Sequence, residues 1–590
     1  MTTIKQLLTN TFTHAIDELY HITDCDPIIQ PATRVEFGDY QANFAMSLAK
    51  RVNQKPQLIA HTVVEKLQTD PLFESLSVAG PGFINITLAS AALTRLLDEQ
   101  HRSSTFGLSR DNLLENPLEK RQKVIVDYSS ANAAKEMHVG HLRSAIIGDA
   151  IVRILRFLGH DVVRQNHIGD WGTQFGMLIE QMMTSNDNPP VKQTISDLNT
   201  LYKDSKQRFD HEPGFAEKAR QRTVLLQQGD IKTRQIWQHI IDASEQYFAI
   251  IYERLGILLT RQDSCGESFY NDVLDDTVAE LEQKQLISVS EGAKVIFLEG
   301  FVDKDQHPLP LIVRKSDGAA LYATTDLAAI RYRINTLQGK RLIYVTDARQ
   351  KQHFAMIFAA ARKAGWADES IVLEHVPFGS ILGEDHKPFK TRSGETIKLV
   401  DLLDEAEQRA LTIVNNKQSA LEDNEKKAIA KSIGIGALKY GDLSNDKVRD
   451  YVFNWDNMLS FDGNTAPYLQ NAYVRIRAIF RKGLINPAQL SFKTLRLSEP
   501  WPEPCEHQLA VKLLAFPDIL QSISEDLALH RLCHYLYDLA ALFHHFYEVC
   551  PILNAPDETI KNSRLLLSDC TARVLKTGLE LLGITALELM

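Results

Sequence analysis

Apolar residues recur at helical spacing from the start of the chain, at Ile4, Leu7, Leu8, Phe12, Ile16 and Leu19, and predict an opening amphipathic helix. Short strand-like runs follow and end at Pro81-Gly82-Phe83-Ile84-Asn85-Ile86, so residues 1–110 read as a small α+β domain. The polar stretch from Arg110 to Lys123, with Asn116-Pro117 inside it, reads as a linker. At Lys123 the pattern changes. The β-branched run Val124-Ile125-Val126-Asp127-Tyr128 gives way to serines and alanines and then to a long helical pattern, which predicts a strand, a loop and a helix start. A second strand is expected at Asp161–Asn166, and buried-looking runs follow at Val295–Leu298, Leu309–Val313, Leu342–Val345 and Val372–Val376. Strands alternating with helices predict a parallel sheet. Helical spacing from about 175 to 260 predicts an insertion between the halves of that sheet, and after about Lys426 the strand signals stop. The division expected is therefore 1–110, 111–425 and an all-helical 426–590.

Length agrees with several domains, because 590 residues exceed the roughly 250–300 at which single cores stop growing. A net charge of −10 excludes a histone-like, nonspecific nucleic-acid binder, so any RNA contact must use local patches. Six scattered cysteines (Cys25, Cys265, Cys505, Cys533, Cys550, Cys570) form no Cys-x-x-Cys pair. No structural zinc is expected from them, and they read as buried thiols of a reduced, cytoplasmic protein. No run approaches the roughly 18 apolar residues of a membrane span.

The densest chemistry lies where the first strand meets the first helix, in Ser129-Ser130-Ala131-Asn132-Ala133-Ala134-Lys135-Glu136-Met137-His138-Val139-Gly140-His141. Ligands of open parallel sheets bind at this carboxyl edge. Two imidazoles three residues apart share one side of a helical turn, and a helix N-terminus offers unpaired N–H groups to phosphate. Gly140 removes a side chain that would keep a flat base off the backbone. Imidazoles donating to a nucleotide phosphate would stabilise charge as it develops. The bare pair also fits a helix cap or part of a metal site, so its context must decide.

That context resembles a known family. His138-Val139-Gly140-His141 is similar to the HIGH motif of class I aminoacyl-tRNA synthetases, and Ser129–Ser144 resembles the form found in arginyl-tRNA synthetases. Ser130, Asn132 and Lys135 match that family's serine, asparagine and lysine, while Ala131 stands where relatives usually have proline. The resemblance implies a multidomain α/β protein. Its parts are a Rossmann-type parallel-sheet catalytic domain with a helical insertion, an N-terminal α+β domain that grips the tRNA elbow, and a C-terminal all-helical anticodon-binding domain. It further implies ATP, Mg²⁺ with the ATP, arginine and tRNA(Arg) as partners, and a monomer.

A guanidinium requires carboxylates in a fork geometry, and three segments supply candidates. Glu267 follows Gly266 in a turn, Tyr322 and Asp326 stand four apart, and Gln350 lies three before His353. By resemblance Glu267, Tyr322, Asp326 and Gln350 bind arginine together with Ser130 and Asn132. The second class I signature, KMSKS, is divergent here as Phe389-Lys390-Thr391-Arg392-Ser393-Gly394. Charge at the leaving pyrophosphate still calls for cations, so Lys390 and Arg392 are candidates, with Lys135 compensating from the other side. At the two ends of the chain, Phe83 and Asn85 share one face of a strand and match the residues that read tRNA. Tyr473, which by resemblance is expected to contact tRNA as well, lies in the stretch that resembles the start of the anticodon-binding domain, where Asn471 replaces a usual aromatic. A short nucleotidyltransferase and a non-charging RNA-binding relative are the competing readings. The first needs no helical C-terminal domain, and the second has no use for the histidine pair beside Glu267 and Gln350.

Overall fold

The computed structural model describes residues 2–108, 122–184, 194–389, 396–417, 421–492 and 501–590. Two compact units emerge. One combines Met1–Lys120, Ser460–Leu581 and Thr585–Met590, and the other Arg121–Leu459 and Leu582–Ile584.

In the first unit, α1 (Ile4–Tyr20) begins where the Thr3 hydroxyl accepts from the Gln6 N–H. It buries Ile4, Leu8, Phe12 and Ile16, most of the stripe marked by the sequence. Strands β1 (Ile29–Pro31), β2 (Tyr40–Ala42), β3 (Phe73–Ala79) and β4 (Phe83–Leu88) form an antiparallel sheet in the order β1-β2-β4-β3. Helices α2 (Ala45–Val52), α3 (Pro56–Leu67) and α4 (Ser90–Arg102) complete the N-terminal part.

The second unit is built on β5 (Lys123–Asp127), whose residues Val124 to Asp127 are all buried, as a strand covered on both faces requires. Next come α5 (Val139–Phe157) and β6 (Asp161–Gln165), then the helical insertion α6 (Thr173–Thr184), α7 (Ile195–His211), α8 (Pro213–Gln228) and α9 (Ile231–Leu255), and then α10 (Leu274–Gln283). Beyond them lie β7 (Ser288–Ser290), β8 (Ala293–Val302), β9 (Pro308–Arg314), α11 (Tyr322–Asn335), β10 (Arg341–Asp347), α12 (Lys351–Lys363) and β11 (Val372–Phe378). The main sheet is parallel with order β11-β10-β5-β6. The chain therefore changes direction across the sheet between β5 and β10, which creates a crevice at their carboxyl ends.

Two expected strands do not join this sheet. The runs at Val295–Leu298 and Leu309–Val313 lie in β8 and β9, which pair antiparallel with each other and with β7 in a separate small sheet. Only five residues, Asp303 to His307, link β8 to β9, and a parallel pairing needs a crossover of a dozen or more.

Short strands β12 (Ile381–Leu382) and β13 (Tyr451–Val452) pair in parallel, and α13 (Leu399–Lys417), α14 (Asp423–Leu443) and α15 (Trp455–Met458) finish the unit. The division expected at 425/426 falls within α14, yet that helix packs on α13 and α5. Gly434 allows this: a Cβ there would lie 2.5 Å from the Ala406 carbonyl oxygen. The unit accordingly runs on to Leu459. In the first unit, α16 (Ala466–Gly483), α17 (Pro504–Leu514), α18 (Phe516–Asp526), α19 (His530–Val549) and α20 (Glu558–Leu581) are the all-helical C-terminal part. They meet the N-terminal part through His507–Asp39 and His101–Asp569, each at 3.0 Å.

Candidate active site

The loop from β5 to α5 holds three residues other than glycine in the left-handed region: Ser129 (φ 73°), Ser130 (φ 50°) and Ala134 (φ 62°). Such backbone persists only where the surroundings over-determine it, and here tertiary hydrogen bonds do so. The Ser129 N–H donates to Ser144 Oγ at 2.9 Å and the Ser130 N–H to Asn166 Oδ1 at 2.9 Å. From the helical insertion, Ser244 Oγ accepts from the Ala134 N–H at 2.9 Å, and Tyr247 Oη accepts from the Met137 N–H at 3.1 Å. Asn132 bridges to Gly169, where a Cβ would collide with the Asn132 amide oxygen. The loop is thus anchored on both sides of Ala131, the position that lacks the family proline.

His138 is the N-cap of α5. Its Nδ1 accepts from the Gly140 N–H at 3.1 Å, while the His138 N–H donates to His141 Nδ1 at 3.0 Å. The capping alternative left open by the sequence is therefore realised, and it has a chemical consequence. A backbone donor on each Nδ1 requires the neutral tautomer that carries its proton on Nε2. Desolvation pushes both imidazoles to lower pKa, helped by the Lys135 charge, and His141 falls to about 3. At neutral pH each ring thus offers one Nε2–H donor. Gly140 has a local role as well: a Cβ there would lie 2.9 Å from His138 Cε1, so glycine makes room for the capping ring. Lys135 Nζ stands 4.2 Å from the centre of the Tyr202 ring, which α7 contributes.

Carboxylates gather across the crevice. Glu267 begins the short helical turn Glu267–Val273, and its N–H donates to the Ile168 carbonyl at 3.1 Å. Burial, then the charges of Asp170 and Asp326, push the Glu267 carboxyl up to about 8. Burial also raises Asp170, which accepts from the Ser268 N–H at 2.8 Å and Ser268 Oγ at 2.5 Å. Gly266 lets that turn close on Asp170, since a Cβ there would sit 2.5 Å from its carboxylate. Tyr322 opens α11 with its ring exposed, and desolvation followed by the Glu267 charge raises its hydroxyl. Asp326 lies one turn further along the same helix, hydrogen-bonded to His353 Nε2 at 2.6 Å. Gln350 is exposed at the N-cap of α12. A buried pair underlies both halves of the site, Arg333 on Asp127 at 2.8 Å, and Asp127 Oδ1 accepts from Ser130 Oγ at 3.2 Å and the His167 N–H at 3.3 Å.

Three family models cover nearly all of the chain: tRNA synthetases class I (R), catalytic domain, over residues 105–455, DALR anticodon binding domain over 469–590, and Arginyl tRNA synthetase N terminal domain over 6–88. The chain belongs to the arginyl-tRNA synthetase family. It is similar to the arginine–tRNA ligase of a Synechococcus strain, 49% identical over 572 residues that span 96% of this chain and 95% of the relative. The arginine–tRNA ligase of Laribacter hongkongensis is 48% identical over 569 residues, 96% of this chain and 97% of the relative. Among solved structures, the arginyl-tRNA synthetase of Plasmodium falciparum matches with a TM-score of 0.85 at 32% identity, covering 100% of both chains. That of Thermus thermophilus matches at 0.80 and 25% identity, also over 100% of both.

For an arginyl-tRNA synthetase, the structure gathers Ser130, Asn132, Lys135, His138, Gly140 and His141 on one loop and the first turn of α5, and places Glu267, Tyr322, Asp326 and Gln350 at the starts of helical elements. Lys390 and Arg392 lie outside the described residues. Phe83 and Asn85 belong to the other compact unit, on the half-exposed face of β4, opposite buried Ile84, Ile86 and Leu88. Gln41 Nε2 donates to Asn85 Oδ1 at 2.7 Å. Tyr473 is placed differently from the expectation. It is 3% exposed, and its hydroxyl donates to Glu588 at 2.6 Å. A ring so enclosed has no face to offer RNA, and its helical spacing with Leu469 and Ile476 is the signature of core. Sequence reasoning missed Asp127, His167 and Asp170. Their available signal was position alone, since Asp127 closes β5 and His167 and Asp170 follow β6 at the ligand-binding edge.

Proposed function

We propose that the chain ligates arginine to tRNA(Arg) at the expense of ATP, through an arginyl-adenylate formed in the crevice between β5 and β10. The observation that carries this reading is the acidic cluster of Asp170, Glu267 and Asp326. Crowded carboxylates, one of them held at about 8, are relieved by a guanidinium and by no neutral side chain. The arginine carboxylate attacks the ATP α-phosphate, the bond to pyrophosphate breaks, and the mixed anhydride remains. A hydroxyl of the terminal tRNA ribose then attacks the activated carbonyl, and AMP leaves with the bonding pair. Nε2–H donors of His138 and His141 meet charge developing on the phosphate. Lys135 faces the pyrophosphate, in the role also expected of Lys390 and Arg392. Mg²⁺ enters as part of the ATP substrate.

Arginine is selected without editing, because a neutral competitor would leave buried carboxylates unpaired. Phe83 and Asn85 read an unstacked base of the tRNA elbow by stacking and edge hydrogen bonding. Six free cysteines suit a reducing cytoplasm, where the enzyme works as a monomer. No helix among the described residues is long and apolar enough to cross a membrane. The test is tRNA charging with each standard amino acid in turn. Arginine alone should be charged, with ATP–pyrophosphate exchange that depends on added tRNA(Arg). Faster charging of another amino acid would overturn the reading.

A further inference from the structure

Asp326 is the one member of the acidic cluster whose carboxylate is flanked by two imidazoles. On one side, α12 brings His353 so that its Nε2 stands 2.6 Å from Asp326 Oδ2. On the other, His167 Nε2 is 4.0 Å from Asp326 Oδ1, too far for a hydrogen bond. An ionised carboxylate only accepts, so His353 donates its Nε2–H, and its tautomer is fixed by that bond. Neither imidazole is free to wander. His353 packs edge-on against Phe354 with ring centres 5.5 Å apart, and Phe354 is itself stacked on His375 at 5.0 Å. His167 stacks on buried Tyr270 at 5.7 Å, and its backbone N–H is held by Asp127.

We infer that His353 is a positioning residue for arginine: its Nε2–H ties down Asp326 Oδ2 and so presents Oδ1 to the cationic end of the substrate. The inference rests on the reading of Asp326 as an arginine ligand given above. A carboxylate on two rotatable bonds must otherwise be ordered when substrate binds, and that ordering weakens binding. Prealignment from α12 removes the cost before arginine arrives. The same helix carries Gln350 at its N-cap, so α12 sets two contacts in one register.

The experiment compares His353→Ala and His353→Gln with the unmodified full-length enzyme, and repeats His353→Ala in an Asp326→Asn background, by steady-state aminoacylation of tRNA(Arg). The glutamine amide keeps a donor near the position of Nε2. His353→Ala should raise the KM for arginine roughly tenfold, the scale of one hydrogen bond to a charged group, with the KM for ATP changed less than about twofold. His353→Gln should recover most of that loss, and in the Asp326→Asn background His353→Ala should add little. Equal rises in both Michaelis constants, or no recovery by glutamine, would show a purely structural role and overturn the proposal. If Asp326→Asn raises the arginine KM but His353→Ala does not, the positioning role alone fails. An Asp326→Asn enzyme with an unchanged arginine KM would remove the reading of Asp326 itself, and the proposal with it.

Discussion

The proposed nucleotide loop and the proposed arginine pocket meet at one sheet edge but are built in opposite ways. The loop is a continuous stretch, Ser129 to His141, whose two histidines are held by backbone donors within it and whose backbone is anchored by Ser144, Asn166, Ser244 and Tyr247. The pocket draws Asp170, Glu267 and Asp326 from three distant segments that come together only in the folded sheet. Their electrostatics are also opposed. Desolvation lowers the two imidazoles and raises the carboxyls of Glu267 and Asp170, so burial favours the uncharged form of these groups in both places. In the loop that uncharged form is the working one, because a neutral imidazole can accept at Nδ1 and donate at Nε2. At Glu267 it is a resting form that, on the proposed reading, the substrate cation displaces.

Breaking the loop should cost the most. His141→Ala removes one proposed phosphate donor and also the acceptor that holds the His138 N–H. Removing one preorganised donor typically lowers turnover by about 10²–10³, and that loss is expected in the kcat of tRNA-dependent ATP–pyrophosphate exchange. A loss in the KM for ATP with kcat intact would instead make His141 a ground-state contact.

Breaking the pocket should act on affinity. Glu267→Gln keeps the shape and loses the charge, and truncating one partner of a buried charge pair costs about 2–5 kcal/mol. The KM for arginine should rise by a factor on the order of 10², while the KM for ATP stays within about threefold. If both constants rise together, Glu267 shapes the crevice rather than recognising the guanidinium.

This difference in construction explains what could be read from the chain. The histidine pair was legible because a helix start after a strand end is a local pattern, and Lys135 and Asn132 were named through the resemblance of the same continuous stretch to the family. The β5–α5–β6 unit was legible for the same reason, through the buried run at Val124–Asp127 and the long helical repeat after it. The small sheet was not, since Val295–Leu298 and Leu309–Val313 have the composition of buried strands and only the five-residue link reveals their antiparallel pairing. Asp170 and Asp127 carry no motif. Their roles come from Gly266 closing on one and buried Arg333 pairing with the other, contacts between residues far apart in sequence. Tyr473 shows the converse limit, because an aromatic at helical spacing reads alike whether it faces RNA or, as here, Glu588.

The mildest break of the comparison leaves the enzyme unaltered and follows protons. With its carboxyl at about 8 against an ordinary 4.5, Glu267 holds a proton at pH 7 in the arginine-free protein. A group raised in this way stabilises the fold below pH 4.5 relative to higher pH, and that contribution is lost as pH rises through 8. A bound guanidinium favours the ionised form and reverses the shift, so arginine binding at pH 7 should release up to about one proton. ATP binding should draw none from the imidazoles, because His141 already sits near 3 and is neutral throughout this range. Calorimetry of the enzyme–tRNA complex in buffers of different ionisation enthalpy separates the two ligands: the arginine enthalpy should depend on the buffer, and Glu267→Gln should abolish that dependence. A buffer-independent arginine enthalpy in the unmodified enzyme would mean that Glu267 is already ionised before substrate arrives, and the resting states of loop and pocket would then differ in charge rather than share neutrality.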